Sequence, residues 1–536
     1  MDIVERFLRY TKINTTTNRE AGAAGIMPSN PTEHDLAKLI ESELKQLGLQ
    51  NIKRRENTIT TAVLPSNSAK KLPSVAFFAH LDTSAEQKND TKAQIVRYEG
   101  GDVTLNKELG ITLKQSEFPE LANYVGDDLI VTDGTSLLGA DDKAAIAAIV
   151  NAAQFFIQNP QIEHGDVTFG FLPDEEQGLR GAKALDVSEI KADFAYCLDC
   201  CGIGELIYQN WNAGDAVVTF VGQSAHPMNA KGKLVNSLLL AHKFISMLPG
   251  GEAPEYTDGV EGYYWVKELS GNSAKTVLKL DVREFNEAKY AQRMAFLQDL
   301  ADSFAKIYGA HRVQISLKDR YKNVFNYLEG GENSLPVVAA KQAYARLNIE
   351  PKVIPMRGGY DGAVISEKGV PCPNLFTGAH NFHSIYEYLP VKSLRAASNV
   401  ICEIVKEDGN MARRPDLEAF CEKFGLNMVS VSELVQYRLK HESLIEIKEK
   451  TAAKIAGFDA LKCEILDHKG ERHYAFVFGE IKDKTAVKFH QISSDVELLC
   501  SDKFDDLRGS LEYLAKNGGV AVFLQGEEKC GGQVKD

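Results

Sequence analysis

The feature that most constrains the fold is a pair of short apolar runs that each end in histidine or carboxylate residues. Residues 74–83 read SVAFFAHLDT, and residues 167–176 read VTFGFLPDEE. Such runs are too short for typical helices, and their nearly continuous apolar character is typical of strands buried on both faces of a parallel sheet. Ligands of open α/β sheets bind beyond the carboxyl ends of the strands. The two runs therefore predict an α/β fold with a polar site at one sheet edge.

Residues 139–143, Gly-Ala-Asp-Asp-Lys, place two carboxylates at the start of an apolar helix. The residues that follow are rich in Ala, Ile and Val, which predicts a mostly buried helix whose first turn is capped by an aspartate. One aspartate is enough for an N-cap. The other, Asp141, could bridge a pair of metal ions, because such a pair needs a ligand with two oxygens. A simple N-cap and a metal bridge both remain open on this evidence.

The two strand ends carry side chains that suit metal chemistry. His80 and Asp82 are two residues apart in a strand, so they share a face, and Asp82 could hold the second nitrogen of a metal-bound His80. The three consecutive acids at 174–176 repel one another, so a cation is their natural partner. Glu175 and Glu176 could then divide the work, one binding metal and one moving protons. The structural alternatives are a hydrogen-bonded histidine and a solvated acidic loop.

A further apolar strand, residues 194–199, ends at Asp199. Cys197 and Cys200 have Cys-x-x-Cys spacing, but no second pair accompanies them, so buried reduced thiols are expected. Histidine or acid thus follows strands, or precedes a helix, at four places along the chain. These four clusters are His80 with Asp82, Asp141, Glu175 with Glu176, and Asp199.

From about residue 208 the pattern changes to strand, helix, strand and helix with long separations. This predicts a small inserted α+β domain that ends near Tyr321. Its polar landmarks are His226, within Ser-Ala-His-Pro, and Arg283. A surface or structural role is the alternative for both.

The α/β character then returns. Two glycines follow Arg357 and allow a tight turn that can present this side chain to a cleft. His380 and His383 lie in a loop rich in Gly and Asn. They offer the nitrogen ligand that a second metal ion would still lack.

Length and composition narrow the class of protein. With 536 residues the chain is too long for one core and predicts two to four domains. The net charge of −13 argues against nucleic acid or an anionic membrane as partner. We expect neither a membrane span nor a signal peptide, because no stretch is long and apolar enough for either. Nine scattered cysteines fit reduced thiols, so a cytoplasmic protein is expected.

Together the motifs of the first 400 residues resemble the peptidase T family, the tripeptide-specific aminopeptidases of the dizinc aminopeptidase and carboxypeptidase clan. The motifs occur in the family's order and spacing: AHLDT, VTDGTSLLGADDKA, PDEEQGLRGA, LDCCGIGEL, SAHP followed by AKGKLVNS, RGGYDGA and LFTGAHNFHSIYE. The resemblance implies release of the N-terminal residue from tripeptides and two Zn²⁺ ions per chain. It also implies an α/β dizinc-exopeptidase catalytic domain with an inserted α+β lid domain.

The resemblance also assigns roles residue by residue. The implied zinc ligands are His80 and Asp199 for one ion, Glu176 and His383 for the other, and Asp141 as the bridge. The other implied roles belong to Asp82 (orienting His80), Glu175 (general base), His226 (oxyanion stabilisation), and Arg283 and Arg357 (binding the peptide carboxylate). His380 is then a bystander. Cys200 and Cys201 stand where the family tends to have glycine, so thiols lie beside Asp199 and could make the site sensitive to oxidation.

The implied domain limits follow from the same resemblance. The catalytic domain comprises residues 1–207 and 323–405, the lid comprises residues 208–322, and a tail spans residues 406–536. The expected partners are short peptide substrates, and the lid is compatible with a homodimer formed through it.

The tail resembles a different pair of enzymes. Residues 401–417, ICEIVKEDGNMARRPDL, resemble the end of 3,4-dihydroxy-2-butanone 4-phosphate synthase, and residues 429–443 resemble its linker to GTP cyclohydrolase II. Residues 452–536 resemble a shortened, degenerate cyclohydrolase in which only Cys500 lies in the region of the zinc cysteines. We therefore expect a small α+β domain without riboflavin chemistry. Glu403, which matches an acidic position of the synthase, is expected on the last helix of the peptidase part.

Two alternatives to a tripeptide aminopeptidase remain at this point. One is a dizinc dipeptidase or amidohydrolase of the same clan. The other is a regulatory or binding protein whose tail senses a nucleotide or flavin precursor. The complete set of implied site residues argues against a vestigial site.

Overall fold

The computed structural model describes residues 1–88, 90–405, 445–467, 471–482, 484–492 and 503–524. The chain divides into two compact units, Met1–Met411 and Ala412–Asp536. Among the helices in these described ranges, none combines the length and apolar character needed to cross a membrane. The predicted linker at 429–443 and Cys500 lie outside the described residues.

Within the described residues, the first unit contains β-strands and α-helices, together with short 3-10 helices. Its strands are β1 (Gln50–Arg54), β2 (Thr60–Leu64), β3 (Val75–His80), β4 (Gln94–Arg97), β5 (Val103–Asn106), β6 (Ile111–Leu113), β7 (Asp128–Val131), β8 (Val167–Leu172), β9 (Phe194–Cys200), β10 (Glu205–Ile207), β11 (Asn212–Val221), β12 (Tyr263–Gly271), β13 (Lys275–Glu284), β14 (Val313–Tyr321), β15 (Lys352–Val353), β16 (Asn374–Phe376) and β17 (Leu389–Pro390). Its helices are α1 (Ile3–Thr11), α2 (Arg19–Ala23), α3 (Glu33–Leu47), α4 (Ala140–Gln158), α5 (Arg180–Ala184), α6 (Ser237–Ile245), α7 (Glu287–Tyr308), α8 (Leu335–Arg346), α9 (Asp361–Glu367) and α10 (Val391–Val405).

An eight-stranded sheet organises this unit, in the spatial order β1-β2-β8-β3-β9-β16-β10-β15. Its central strands β8, β3, β9 and β16 are parallel, and every residue of β3 and β8 is buried. Helix α4 packs against β3 and is contacted by α1, α3 and α10, whereas α8 and α9 pack against β9. The predicted α/β fold with two buried parallel strands is confirmed.

A second sheet, in the order β12-β13-β11-β14, is antiparallel throughout. Helices α6 and α7 share one apolar core with it, formed around Phe220, Phe244, Leu280 and Phe304. The two strands and two helices predicted here are present, but β12 and β14 were not predicted. Their alternation is weak because much of β12 and β14 is exposed. The domain limits of 208 and 322 stay a prediction.

A smaller three-stranded sheet, β17-β7-β4, and the hairpin of β5 and β6 were also not predicted. They enclose a small core that includes Tyr98, Tyr124 and Tyr388. Apart from β17, this layer lies between β3 and α4 in sequence, where the chain shows only short apolar runs. Its importance is that β17 follows the loop that carries His383.

The second unit contains a five-stranded sheet and a helix. The strands are β18 (Ile445–Ile455), β19 (Phe458–Asp467), β20 (Arg472–Phe478), β21 (Val487–Gln491) and β22 (Gly519–Leu524), in the order β18-β19-β20-β22-β21, and the helix is α11 (Lys503–Asn517). Leu507, Leu511 and Leu514 of the helix form a core with Phe478 and Ala521 of the sheet. The predicted small α+β tail is confirmed for the described residues. Glu403 lies on α10 of the first unit, as predicted.

Candidate active site

The parallel strands bring the predicted polar clusters to one edge of the main sheet. His80 is the last residue of β3, Asp199 is the penultimate residue of β9, and the loop with Glu175 and Glu176 follows β8. The loop that leads to His383 follows β16. Because these four strands are parallel neighbours, their carboxyl ends meet at the same edge.

All five predicted metal ligands fall into two compact groups of donor atoms. Within each group the donor atoms lie within 4.8 Å of one another; the groups are His80, Asp141 and Asp199, and Asp141, Glu176 and His383. Asp141 belongs to both groups. A third combination within the same limit joins His80 to Glu175 and Glu176.

Asp141 presents one carboxylate oxygen to each group. Its Oδ1 lies 2.9 Å from His80 Nε2, and its Oδ2 lies 3.2 Å from His383 Nε2. The same His383 nitrogen lies 2.8 Å from Glu176 Oε1. Imidazole nitrogens and carboxylate oxygens, which are the donor types that bind zinc, therefore lie 2.8–3.2 Å apart around Asp141.

Asp82 mainly organises the loop after β8. Its Oδ1 accepts a hydrogen bond from the Glu175 N–H at 2.9 Å, and its Oδ2 accepts one from the Glu176 N–H at 3.1 Å. Thr17 Oγ1 donates to Oδ2 as well, at 3.1 Å. His80 Nδ1 lies 3.5 Å from Asp82 Oδ1 but only 2.9 Å from the Asp82 carbonyl oxygen. Asp82 thus touches both His80 and the backbone of the two glutamates.

The expected aspartate N-cap of α4 is wrong. Gly139 occupies the N-cap position in a left-handed conformation (φ 74°), and no side chain at that position caps the helix. Asp141 and Asp142 have non-helical backbone angles, and Asp142 Oδ2 accepts from the His80 N–H at 3.0 Å. The N–H groups of Leu138, Gly139 and Asp141 are instead bound by the carboxylate of Glu387. Both aspartates are therefore free of the capping role.

The concentration of buried acids perturbs their ionisation. Burial raises the pKa of Asp199 well above its usual value, and the neighbouring Asp141 adds to this effect. Burial also raises the pKa of Asp141, but hydrogen bonds from His383 and His80 outweigh it and leave its pKa lowered. Hydrogen bonds to Asp141 and Glu176 raise the pKa of His383 to about 11. The Asp141 carboxylate is therefore stabilised by the imidazoles of His80 and His383 beside it.

Glu175 is partly buried beside this cluster. Burial raises its pKa well above the usual value for a glutamate, and the charge of Asp199 raises it further. Its donor atoms come within 4.8 Å of those of His80 and Glu176. A carboxylate so close to both ligand groups, and not needed by either, is well placed to exchange protons.

The three predicted residues outside the cluster have other contacts. His226 is exposed and accepts from the Met228 N–H at 3.2 Å; none of the described hydrogen bonds or ion pairs joins it to the cluster. Arg283 is buried, with Nε 2.9 Å and Nη2 3.0 Å from the two oxygens of Asp281, and it also contacts the Tyr321 hydroxyl. The roles predicted for both residues stay predictions.

Arg357 is exposed and lies across residues of the second sheet and its loops. Its guanidinium carbon lies 4.9 Å from the centre of the Trp211 ring, and its Nη1 donates to the Gly259 carbonyl at 3.0 Å. Stacking on an aromatic face fixes the plane of a guanidinium and leaves its edge available for a carboxylate. Its role in binding the peptide carboxylate stays a prediction.

His380, which was predicted to have no catalytic role, packs against Tyr124 and Tyr388 beside the loop that carries His383. Its Nε2 lies 2.6 Å from the Tyr124 hydroxyl, and its ring stacks on Tyr388 at 4.9 Å. Burial lowers its pKa to about 4, with a smaller contribution from Lys352. His380 is therefore neutral at physiological pH and carries no proton to the cluster.

The two cysteines beside Asp199 are also not activated. Cys200 is buried, with its thiol 3.7 Å from the Glu205 carbonyl oxygen. Burial raises the pKa of the Cys201 thiol, and the charge of Glu205 adds to this effect. Since the thiolate is the form that is oxidised readily, both thiols are held in the less reactive form.

Two acids that contact the cluster were missed in the sequence. Glu387 binds the loop before α4, and Glu86 Oε2 lies 3.1 Å from His383 Nδ1. Glu387 had one available signal, its position four residues after His383. Glu86 had none, because it follows β3 in a polar stretch without a pattern of its own.

Comparison with known proteins matches two families to this sequence. Residues 137–407 match the family described as Peptidase family M20/M25/M40, and residues 391–437 match 3,4-dihydroxy-2-butanone 4-phosphate synthase. Of the latter match, residues 391–405 form helix α10 and the rest lies outside the described residues. The predicted resemblance to this synthase at the start of the tail is confirmed by the match.

Individual relatives cover the first three quarters of the chain. Peptidase T of Geobacillus thermodenitrificans is 43% identical over 407 residues, which are 76% of this chain and 98% of the relative. The crystal structure of aminopeptidase PepT from Bacillus cereus superposes with a TM-score of 0.60 at 21% identity, covering 75% of this chain and 97% of that one. A tripeptidase structure from Staphylococcus aureus gives a TM-score of 0.59 at 21% identity, with the same two coverages of 75% and 97%.

The expected peptidase is thereby confirmed, because the matched region contains most of the described site and the relative aligns over almost its full length. Four of the five ligand-type side chains at the sheet edge lie within that region, and His80 precedes it. The chain belongs to peptidase family M20/M25/M40.

Proposed function

We propose that this protein is a dizinc aminopeptidase that releases the N-terminal residue from tripeptides. The observation that carries the proposal is the pair of donor groups that share Asp141. The substrate class is supported by the name and extent of its relative, Peptidase T, which aligns over 98% of its length.

The donor set suits two zinc ions. Each group offers one imidazole nitrogen and two carboxylates, one of them shared, and zinc binds both types of donor. Burial and the neighbouring carboxylates raise the pKa of Asp199 and Glu175, and this crowding of buried acids supports a site for cations. Cobalt or manganese could also occupy such nitrogen and oxygen sites. When present, two zinc ions supply Lewis-acid chemistry: they polarise a carbonyl oxygen and lower the pKa of water toward about 7.

In the proposed reaction Glu175 takes a proton from the attacking water and passes it to the leaving amine. Asp82 positions Glu175 through the backbone N–H group of that residue and contacts His80. His226 would stabilise the oxyanion, which requires it to approach the cluster from its exposed loop. Arg283 and Arg357 would bind the peptide carboxylate, and Arg357 is the more accessible of the two.

The division of labour along the chain is part of the proposal. Residues 1–207 and 323–405 would form the catalytic domain, residues 208–322 the lid, and residues 406–536 an inactive appendage that resembles riboflavin enzymes. The six cysteines of the described residues are all free thiols, which supports a cytoplasmic protein. The acidic net charge supports the absence of nucleic-acid and membrane partners. A homodimer through the lid is compatible with this arrangement.

The test compares an unblocked tripeptide with its dipeptide and its N-acetylated form, with and without a chelator, by measuring release of the N-terminal amino acid. We expect chelator-sensitive cleavage of the free tripeptide alone. Cleavage of the dipeptide or of another amide instead would favour the dipeptidase or amidohydrolase alternative. Absence of any cleavage by zinc-loaded protein would contradict the proposal.

The general base can be tested separately with Glu175→Gln. An amide cannot accept the proton, so turnover should fall at least ~100-fold. Zinc content should stay at the wild-type value, because Glu175 is not one of the five proposed ligands. Near-normal turnover of this variant would rule out Glu175 as the base.

A further inference from the structure

The turn at which helix α4 begins is held by hydrogen bonds from a distant part of the chain. Gly139 has φ 74°, and a Cβ atom there would lie 3.3 Å from Thr83 Cγ2, so the loop is both left-handed and tightly packed. Asp141 and Asp142 have non-helical backbone angles, and no side chain at the N-cap position caps the helix. The direction in which Asp141 points must therefore be set by contacts from outside the loop.

Glu387 supplies these contacts. Its Oε2 accepts from the N–H groups of Leu138 at 3.0 Å and Gly139 at 2.8 Å, and its Oε1 accepts from the N–H of Asp141 at 3.0 Å. The Glu387 side chain is buried, with 1% of its surface exposed. Both carboxylate oxygens are thus committed to backbone groups of the loop that carries Asp141.

The loop that carries Glu387 also carries His383. The backbone groups of His380 and Tyr388 hydrogen-bond to each other at its base, at 2.9 and 3.2 Å. Inside the loop, Asn381 Nδ2 donates to the Tyr386 carbonyl at 3.1 Å, and the Glu387 N–H donates to the Ser384 carbonyl at 3.1 Å. The loop is closed and internally bonded, so the positions of His383 and Glu387 are coupled.

We propose that Glu387 is a positioning residue that fixes Asp141 between the two ligand groups and sets its distance from His383. One rigid loop would then deliver a ligand, His383, and hold the backbone of the bridging ligand, Asp141. This inference rests on the proposed dizinc function, but it concerns metal binding and can be judged by it alone. Residues that orient metal ligands typically change metal affinity or activity by about 10–100-fold when they are replaced.

The test is a cobalt(II) and zinc(II) titration of the metal-free full chain, followed by calorimetry and, for cobalt, by visible absorption. In Glu387→Gln the amide keeps one acceptor oxygen and places an NH₂ group against backbone N–H donors. We expect at least one of the two ions to bind ~10–100-fold more weakly and the cobalt spectrum to change. Wild-type affinity and spectrum for both ions in Glu387→Gln would overturn the proposal.

Glu43→Gln is the matched control for loss of a buried carboxylate. Glu43 is 5% exposed and accepts from Arg6 Nε at 2.9 Å and Tyr10 Oη at 3.1 Å, in the core between α1 and α3. We expect this variant to lose stability but to bind both ions like the wild type. Equal weakening of metal binding in both variants would show a general loss of stability and would also overturn the proposal.

Three further outcomes also decide between the readings. If Glu387→Gln does not fold, Glu387→Asp takes its place: it keeps the charge but shortens the reach, so weakened binding supports the proposal and wild-type binding overturns it. If the wild type binds two cobalt ions but cleaves no tripeptide, the proposed function fails while the role of Glu387 is still decided by the titration. A wild type that binds fewer than two ions overturns the proposal.

Discussion

Replacement of Asp82 by asparagine tests how the site holds its general base. The Asp82 carboxylate is fully buried and accepts hydrogen bonds from the N–H groups of Glu175 and Glu176 and from Thr17 Oγ1. The two N–H groups use different carboxylate oxygens. An asparagine amide has only one acceptor oxygen, so in either orientation one backbone N–H faces an NH₂ group and loses its partner.

The expected size of the effect follows from this geometry. One buried N–H group without a partner costs about 1–3 kcal/mol, so the free energy of unfolding should fall by that amount in Asp82→Asn. The same unpaired group lets the Glu175 backbone move, and a displacement of about 1 Å can cost on the order of 10²-fold in rate. We therefore expect kcat on a free tripeptide to fall about 10–100-fold.

The assay combines steady-state kinetics, metal content and denaturant unfolding, with Thr17→Val as the control. That variant removes the hydroxyl donor but leaves both backbone N–H groups bound to Asp82. It should lose about 1 kcal/mol of stability and keep near-normal kcat. A kcat within twofold of wild type in Asp82→Asn would refute the reasoning, as would an equal loss of kcat in Thr17→Val.

Three other predictions concern the surroundings of the cluster. Glu86→Ala removes the carboxylate 3.1 Å from His383 Nδ1, so zinc competition assays should show ~10-fold weaker binding of one ion, and unchanged binding would contradict a supporting role. Arg357→Lys removes the planar fork, so KM for a tripeptide should rise ~10-fold and the discrimination against the C-terminal amide should shrink; an unchanged preference for the free carboxylate would exclude it as the anchor. Burial lowers the pKa of His380 from 6.5 to about 4 in the folded protein. Between these two pH values the unfolded chain therefore binds a proton that the folded chain does not. As the pH is lowered through this window, the free energy of unfolding should decrease by up to about 3 kcal/mol. Unfolding of metal-free wild type and His380→Gln at pH 7.5 and 5 should show a smaller pH dependence in the variant, and parallel curves would contradict the prediction.

The sequence was sufficient for the parts of the fold in which burial and periodicity agree. Strands β3 and β8 are buried at every position, and their apolar runs predicted both their type and their parallel pairing. Strand β12 shows the opposite case, because only one of its nine positions is buried and no apolar pattern marks it. The three-stranded sheet of β4, β7 and β17 was also not predicted, because its strands are only two to four residues long.

In the candidate site too, the positions of some residues could be predicted from the sequence, whereas the contacts of others could not. His80, Glu176 and Asp199 could be predicted because each ends or follows a recognisable strand, and the parallel topology brings them to one edge. Asp141 was marked by the start of a helix, whereas His383 was chosen over His380 only through the family resemblance. Arg283 shows where such reasoning stops. Its position on a strand was visible, but its ion pair with Asp281 depends on which way two neighbouring side chains turn inside the second sheet.

The contact between Glu387 and the backbone of Asp141 could not be predicted from the sequence. Glu387 lies 246 residues from Asp141 along the chain and binds its backbone N–H rather than its side chain. Any backbone offers that donor, so no residue pattern near Asp141 can signal the partner. Asp142, by contrast, looks like a helix cap in sequence but receives the N–H of His80. The sequence therefore identifies which donors can reach a metal pair, whereas the angles and distances at which they meet are set by buried carboxylates that bind main-chain N–H groups from distant segments.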